Sequence, residues 1–190
     1  MIMSTTEGKK FEKIDFSSSP LPKGEYENCT FLSCNFSNTD LTAIHFSSCE
    51  FKDCNLSLPK TMKMALKDVK FKGCKMLGFP FDKCDTFLFS VDFDNCILNL
   101  SSFFKMNLKK ARFLNCSLHE VDFTESNLSA ATFINCDLQG ARFDRSILEK
   151  TDFRTSYNYS IDPDSNKIKK ARFSREGVIG LLNKYDIDIE

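Results

Sequence analysis

A strict five-residue period in the apolar residues constrains this chain more than any other feature. Counting in fives from Phe11 gives Phe16, Leu21, Tyr26, Phe31, Phe36, Leu41, Phe46, Phe51 and Leu56, then Leu66, Phe71, Met76 and Phe81. Thr61 is the one polar residue in that run. The phase slips by two residues near 82–88. From Leu88 the fives continue through Phe93, Leu98, Phe103, Leu108, Phe113, Leu118, Phe123, Leu128, Phe133, Leu138, Phe143, Leu148 and Phe153. Sixteen of the twenty Phe fall on this grid, Phe173 included. A helix needs apolar spacings of three and four, and a half-buried strand needs alternation. Five fits neither, so each pentapeptide predicts one short side of a larger coil.

A longer period says how many sides the coil has. Phe31, Phe51 and Phe71 each open a Phe-x-x-Cys segment, twenty residues apart, and Phe93, Phe113 and Phe133 do so again after the slip. Like residues stack on like when each coil closes after four pentapeptides. Parallel stacking at about 4.8 Å per coil makes some seven coils a rod on the order of 35 Å long. One repeat cannot bury its own inner face, so stability comes from stacked neighbours and the ends need caps. Asn95, Asn115 and Asn135 are placed to form a side-chain ladder at one corner.

The same frame disposes of the nine Cys. All of them, Cys29, Cys34, Cys49, Cys54, Cys74, Cys84, Cys96, Cys116 and Cys136, lie two residues before a step of five, where Ala111, Ala131, Ala141, Val69, Val91 and Val121 also lie; Cys84 alone lacks an apolar grid partner, because Thr86 follows it. That predicts small apolar fillers rather than a disulfide framework or a zinc site, since no two Cys are closer than five residues. No phosphate-binding glycine loop, dinucleotide fingerprint or nucleophile elbow is present. His45 and His119 each adjoin a grid residue and are expected to point outward. No catalytic, cofactor-binding or metal-binding residue is expected, and the chain reads as a non-enzymatic protein. Its 26 basic and 26 acidic residues balance, so there is no global pull toward phosphates, and no direct nucleic acid binding is expected. The start lacks a signal-peptide core and nothing reaches membrane-span length, so the expected compartment is the cytoplasm.

The breaks in the pattern mark candidate surfaces. With Leu88 turned inward, Phe87 and Phe89 would flank it as an exposed aromatic pair, either a partner-contact bump or a bulge folded over a kink. Pro59 and Thr61 suggest a distorted corner. The expected divisions are a disordered or capping segment at 1–10, the repeats at 11–156, an irregular last coil at 157–173, and a helix with its tail at 174–190. Ser174 is a candidate N-cap for a helix to about Lys184, with Val178, Leu181, Leu182 and Tyr185 on its apolar face. Ile187 and Ile189 follow in the tail. These six residues are candidate cap or dimer contacts.

The recurring unit, as in Ala111-Arg112-Phe113-Leu114-Asn115 and Ala131-Thr132-Phe133-Ile134-Asn135, resembles the pentapeptide-repeat family over residues 11–156. The resemblance implies an all-β fold, a right-handed quadrilateral parallel β-helix, here with a short capping α-helix at the C-terminus. The ending Ile161-Asp162-Pro163, Asn166, Ile168, Glu176-Gly177-Val178, Leu181-Leu182, Ile187 and Ile189 is similar to the gyrase-protecting branch, the Qnr-type quinolone resistance proteins and the microcin B immunity protein. That implies a homodimer joined through its C-termini and a partner in DNA gyrase or topoisomerase IV, engaged by DNA mimicry or direct binding. A generic interaction scaffold with another bacterial partner is the alternative. Asp92, Arg112 and Asp152 share one predicted row, so its charges do not keep one sign.

Overall fold

The computed structural model describes residues 4–188. Its backbone closes on itself every twenty residues and pairs, always in parallel, along four ladders. On the first face Thr5–Glu7 (β1), Glu25–Glu27 (β3), His45–Ser47 (β5) and Ala65–Lys67 (β7) pair in the order β1-β3-β5-β7. The second face is built from Lys10–Glu12 (β2), Thr30–Leu32 (β4), Glu50–Lys52 (β6), Val69–Lys72 (β8), Val91–Asp94 (β9), Arg112–Leu114 (β10) and Thr132–Ile134 (β11). Single bridges form the third face, from Asp15 through Asn35, Asn55, Lys75, Ile97, Ser117 and Asp137 to Tyr157. The fourth runs through Asp40 and Lys60, then Pro80, Ser102, Asp122 and Arg142. The first face resumes at Asn107, Asn127, Ile147 and Lys167. The ladder begins at Thr5, inside the 1–10 stretch, because Thr6 occupies the grid position five before Phe11.

The register is the one the sequence period predicts. Phe31 pairs with Phe51 and Phe51 with Phe71, and Phe71 then pairs with Phe93 across the inserted residues. The rings stack nearly parallel up each row: Phe93 on Phe113 at 5.1 Å, Phe113 on Phe133 at 4.7 Å, Phe133 on Phe153 at 4.9 Å. Neighbouring faces meet edge to face, as Phe113 does with Phe103 and Phe123. Offset stacks and edge contacts are the two favoured aromatic geometries. A core of alternating Phe and Leu rows uses both. Thr61 also points inward, its hydroxyl satisfied by the Pro80 carbonyl at 2.8 Å.

Two residues after most grid positions the backbone turns a corner with positive φ, from Lys13 and Asn28 through Asn95, Asn115 and Asn135 to Lys170. This left-handed conformation costs most residues energy, and Asn, Asp and Gly tolerate it best. That requirement explains the Asn row better than a ladder does. Only Asn135 and Asn115 are bonded side chain to side chain (3.2 Å), while Asn95 donates to Asp94.

The expected C-terminal α-helix is absent. Ser174 does cap, its hydroxyl accepting the Gly177 N–H at 2.9 Å, but the chain then makes two short 3-10 turns, Gly177–Leu181 and Asn183–Tyr185. The reason lies beneath it. Gly177 and Gly180 pass so close over Tyr159 that a Cβ at either would collide with it. The Gly180 carbonyl accepts the Ile161 N–H at 2.9 Å. Docking onto Tyr159, and glycine's poor helix propensity, override the three- and four-residue apolar spacing.

Candidate interaction surfaces

The inserted residues produce the most exposed large apolar side chain of the rod. Asp85 N–H donates to the Met64 carbonyl and Ser90 N–H to Leu66, so residues 85–90 take the first-face level above β7. Between them a turn closes from the Phe89 N–H to the Thr86 carbonyl, braced by Asp85 accepting the Phe87 N–H at 2.8 Å. Phe87 and Leu88 are its central residues, 76% and 55% exposed, with Leu88 at φ 56. Phe89 is the residue that turns back against the core, edge-on to Phe81. The expected inward Leu88 flanked by outward Phe87 and Phe89 is therefore corrected. Leu88 takes a left-handed corner, and Phe89 fills the inner space. The bump is Phe87 with Leu88. It walls a groove of about 290 Å³ across the outside of β1, β3, β5 and β7, floored by residues such as His45, Ser47 and Ala65.

The C-terminal residues divide. Leu181 packs on the core and Leu182 is half-buried, whereas Val178, Tyr185 and Ile187 are exposed, as is Ile179 beside them. Ile189 lies outside the described residues. Lys184 clamps the tail to the last coil through Asp162 at 2.6 Å and through Asp164. The Lys184 hydrogen bond holds the Asp162 carboxyl below its ordinary value, and the two carboxylates raise Lys184. A lowered acid stabilises at neutral pH and loses that contribution as pH falls through its folded-state value; a raised base loses its own only in strong alkali. The clamp should thus hold at neutral pH and open below about pH 4, the ordinary carboxylate range. NMR signals of residues 183–187 should sharpen there, and Lys184→Met should sharpen them already at pH 7, while 177–182 stay docked on Tyr159.

The cysteines are a packing row. All nine are free and buried. Burial pushes the Cys49 thiol up to about 11 and the Cys84 thiol up to about 12, which removes the thiolate that reactivity requires. Cys136 donates to the Phe113 carbonyl at 3.3 Å, and Ser156, one coil on, makes the equivalent bond to Phe133 at 3.0 Å. Cys136→Ser should therefore change stability by less than about 1 kcal/mol. Cys136→Leu should cost about 1–3 kcal/mol by overpacking. Urea unfolding of both checks this.

His45 and His119 lie at the surface as expected, His119 within 2.8 Å of Asp137. No group of three or more potential metal ligands occurs among the described residues, and no helix there is long and apolar enough to cross a membrane.

These features define a protein class, a four-sided parallel β-solenoid that presents surfaces rather than an enclosed site. A family model described as a pentapeptide repeat region matches residues 86–158, a stretch that lies inside this solenoid. Among solved structures it is similar to HetL, a pentapeptide repeat protein involved in heterocyst differentiation regulation from the cyanobacterium Nostoc. The two share 12% identity at a TM-score of 0.57, over 90% of this chain and 86% of that one. It also matches QnrB1, a plasmid-mediated fluoroquinolone resistance protein, at 20% identity and a TM-score of 0.48 over 100% of this chain and 99% of that one. No curated protein sequence matches the chain.

Proposed function

We propose that this chain is a non-catalytic binding protein that engages a type II topoisomerase, DNA gyrase first, and relieves its poisoning by a quinolone or a microcin-like peptide. The observation that carries this reading is the C-terminal segment from Ile161 to Ile187, whose residues are similar to the ending of the gyrase-protecting branch. Exposed Val178, Ile179, Tyr185 and Ile187 support the accompanying reading that two copies join end to end there.

Surface charge favours direct binding over imitation of DNA. Down the second face the outward row reads Lys70, Asp92, Arg112, Thr132, Asp152, Arg172. A mimic of the duplex needs one sign repeated at every phosphate, and this row alternates. The same alternation favours the second reading, a scaffold for a different bacterial protein. The test is gyrase supercoiling with a quinolone or microcin, titrated with the purified protein. Restored supercoiling and measurable gyrase binding are expected, and both should weaken in Ile187→Asp. Absence of binding and of rescue at every concentration would sink the topoisomerase reading and leave the scaffold.

A further inference from the structure

The first face carries a pattern that the proposed function does not use. Its midpoint is the Phe87–Leu88 bump. Toward the N-terminal end the exposed charged residues are Glu7, Glu25, Glu27 and Asp68, with Lys67 the exception. Toward the C-terminal end they are Lys109, Lys110, Lys150, Lys167, Lys169 and Lys170, with the half-buried Glu149 of opposite sign among them. Among the described residues, the one ion pair on this face is Glu25 with His45 at 3.7 Å. On the second face, by contrast, Glu50 binds both Lys52 and Lys72, and Asp152 binds Arg154.

We infer that this face is an isologous interface, on which a second copy of the chain lies side by side and antiparallel. A two-fold axis through the Phe87 level, parallel to the strands, superposes each level on the one equally far on the other side. At about 4.8 Å per level, the β1 level and the Lys167–Lys169 level both lie about 19 Å from the bump. The axis brings Glu7 opposite the second copy's Lys169, and Asp68 opposite its Lys110. The levels between carry Ser47, Ser48, Ser129 and Ala130, small enough for close approach. The Phe87 level maps onto itself, so the two exposed Phe87 side chains meet across the axis. An isologous contact needs a self-complementary patch, and an apolar centre between halves of opposite sign is one.

The match is by halves rather than residue by residue. Two like-charge pairs arise: Lys67 comes opposite Lys109, beside the facing Asp68 and Lys110 of opposite sign, and Glu27 comes opposite Glu149, with Lys150 and Lys169 nearby. A strip about 38 Å by about 15 Å gives on the order of 1,100 Å² over both partners, the low end of specific interfaces. The association should accordingly be micromolar and weaken with salt.

The inference is independent of the topoisomerase reading, and the end-to-end contact can be removed from its test by Ile187→Asp. Sedimentation of the full chain carrying that change should show a dimer of the 21.8 kDa protomer at tens of micromolar. Adding Phe87→Asp should give a monomer with an unaltered melting curve, because Phe87 is exposed. Lys110→Glu should weaken dimerisation about tenfold, and Asp68→Lys in the same chain should restore it. Phe87→Cys, treated with diamide, should cross-link to its own copy, since all nine native cysteines are buried. A monomeric Ile187→Asp chain, or a dimer indifferent to Phe87→Asp, would overturn the inference. So would binding of duplex DNA by the lysine half with no dimer at any concentration, which would assign that half to a polyanion.

Discussion

Phe113→Asp is expected to abolish cooperative unfolding altogether, leaving a chain that aggregates or melts without a transition. Phe113 is fully buried, stacked between Phe93 and Phe133 and touched edge-on by Phe103 and Phe123. Removing such a ring alone costs about 3–5 kcal/mol, and a buried carboxylate with no partner adds several more. Total stabilities of domains run to about 5–15 kcal/mol, so the sum takes most or all of it. Phe113→Leu separates size from charge. Leu occupies the alternate inward rows, as at Leu108 and Leu118, so it should keep a sharp transition and cost about 1–2 kcal/mol. Circular dichroism melts of both variants provide the measurement, and a normal transition in Phe113→Asp would remove Phe113 from the core.

Gly180→Val should release the C-terminal tail. Any Cβ at this position collides with the Tyr159 carbonyl and ring, and those atoms belong to a buried residue that cannot yield. The tail must lift, which breaks the bond from the Ile161 N–H to the Gly180 carbonyl and uncovers Tyr159 and Ile161, both buried in the native chain. Uncovering two large side chains costs roughly 3–5 kcal/mol by transfer alone, and a solenoid frays from an open end. Two readouts should change together. Trypsin should cut after Lys184 much faster than in the parent, and the melting temperature should fall by several degrees. Gly180→Ala should show the same effects in weaker form, since its Cβ makes the same collision without the extra methyl groups.

Those two substitutions probe parts of the chain that differ in how readily the sequence reveals them. Phe113 announces itself. A residue repeated every five positions, with an identical neighbour twenty away in both directions, has one arrangement in which all copies are buried. Gly180 is hidden because its role depends on Tyr159, twenty-one residues earlier and outside the regular repeat. Apolar residues at 178, 181, 182 and 185 satisfy a helical template equally well whether a helix forms or not. The inserted pair shows a similar limit. The grid assigns Leu88 to the inside by counting back from Phe93, but counting cannot tell on which side of Leu88 the extra residues are accommodated. The turn from Thr86 to Phe89 settles it by sending Phe87 and Leu88 outward and Phe89 in.

The candidate surfaces were partly legible for the same reason. Phe87 is legible as an outward aromatic because it adjoins the slip, and Val178 and Tyr185 are legible as candidate contacts through their helical spacing, with Ile187 in the tail beyond. The division of the first face into an acidic and a basic half was not visible in a chain whose charges sum to zero. The outward residues of one face are scattered through the whole sequence, each separated from the next by a full coil.

The five-residue and twenty-residue periods that open the sequence thus determine, unaided, a stacked four-sided coil and its inward rows, including the burial of every cysteine. Burial repeats identically at each level, so it leaves a periodic trace. The tertiary structure alone decided the left-handed corners, the outward turn at Phe87 and Leu88, the 3-10 tail over Tyr159 and the grouping of charges by face. Each of these depends on a single contact or on residues brought together only by closure of the coil, and neither leaves a period to read.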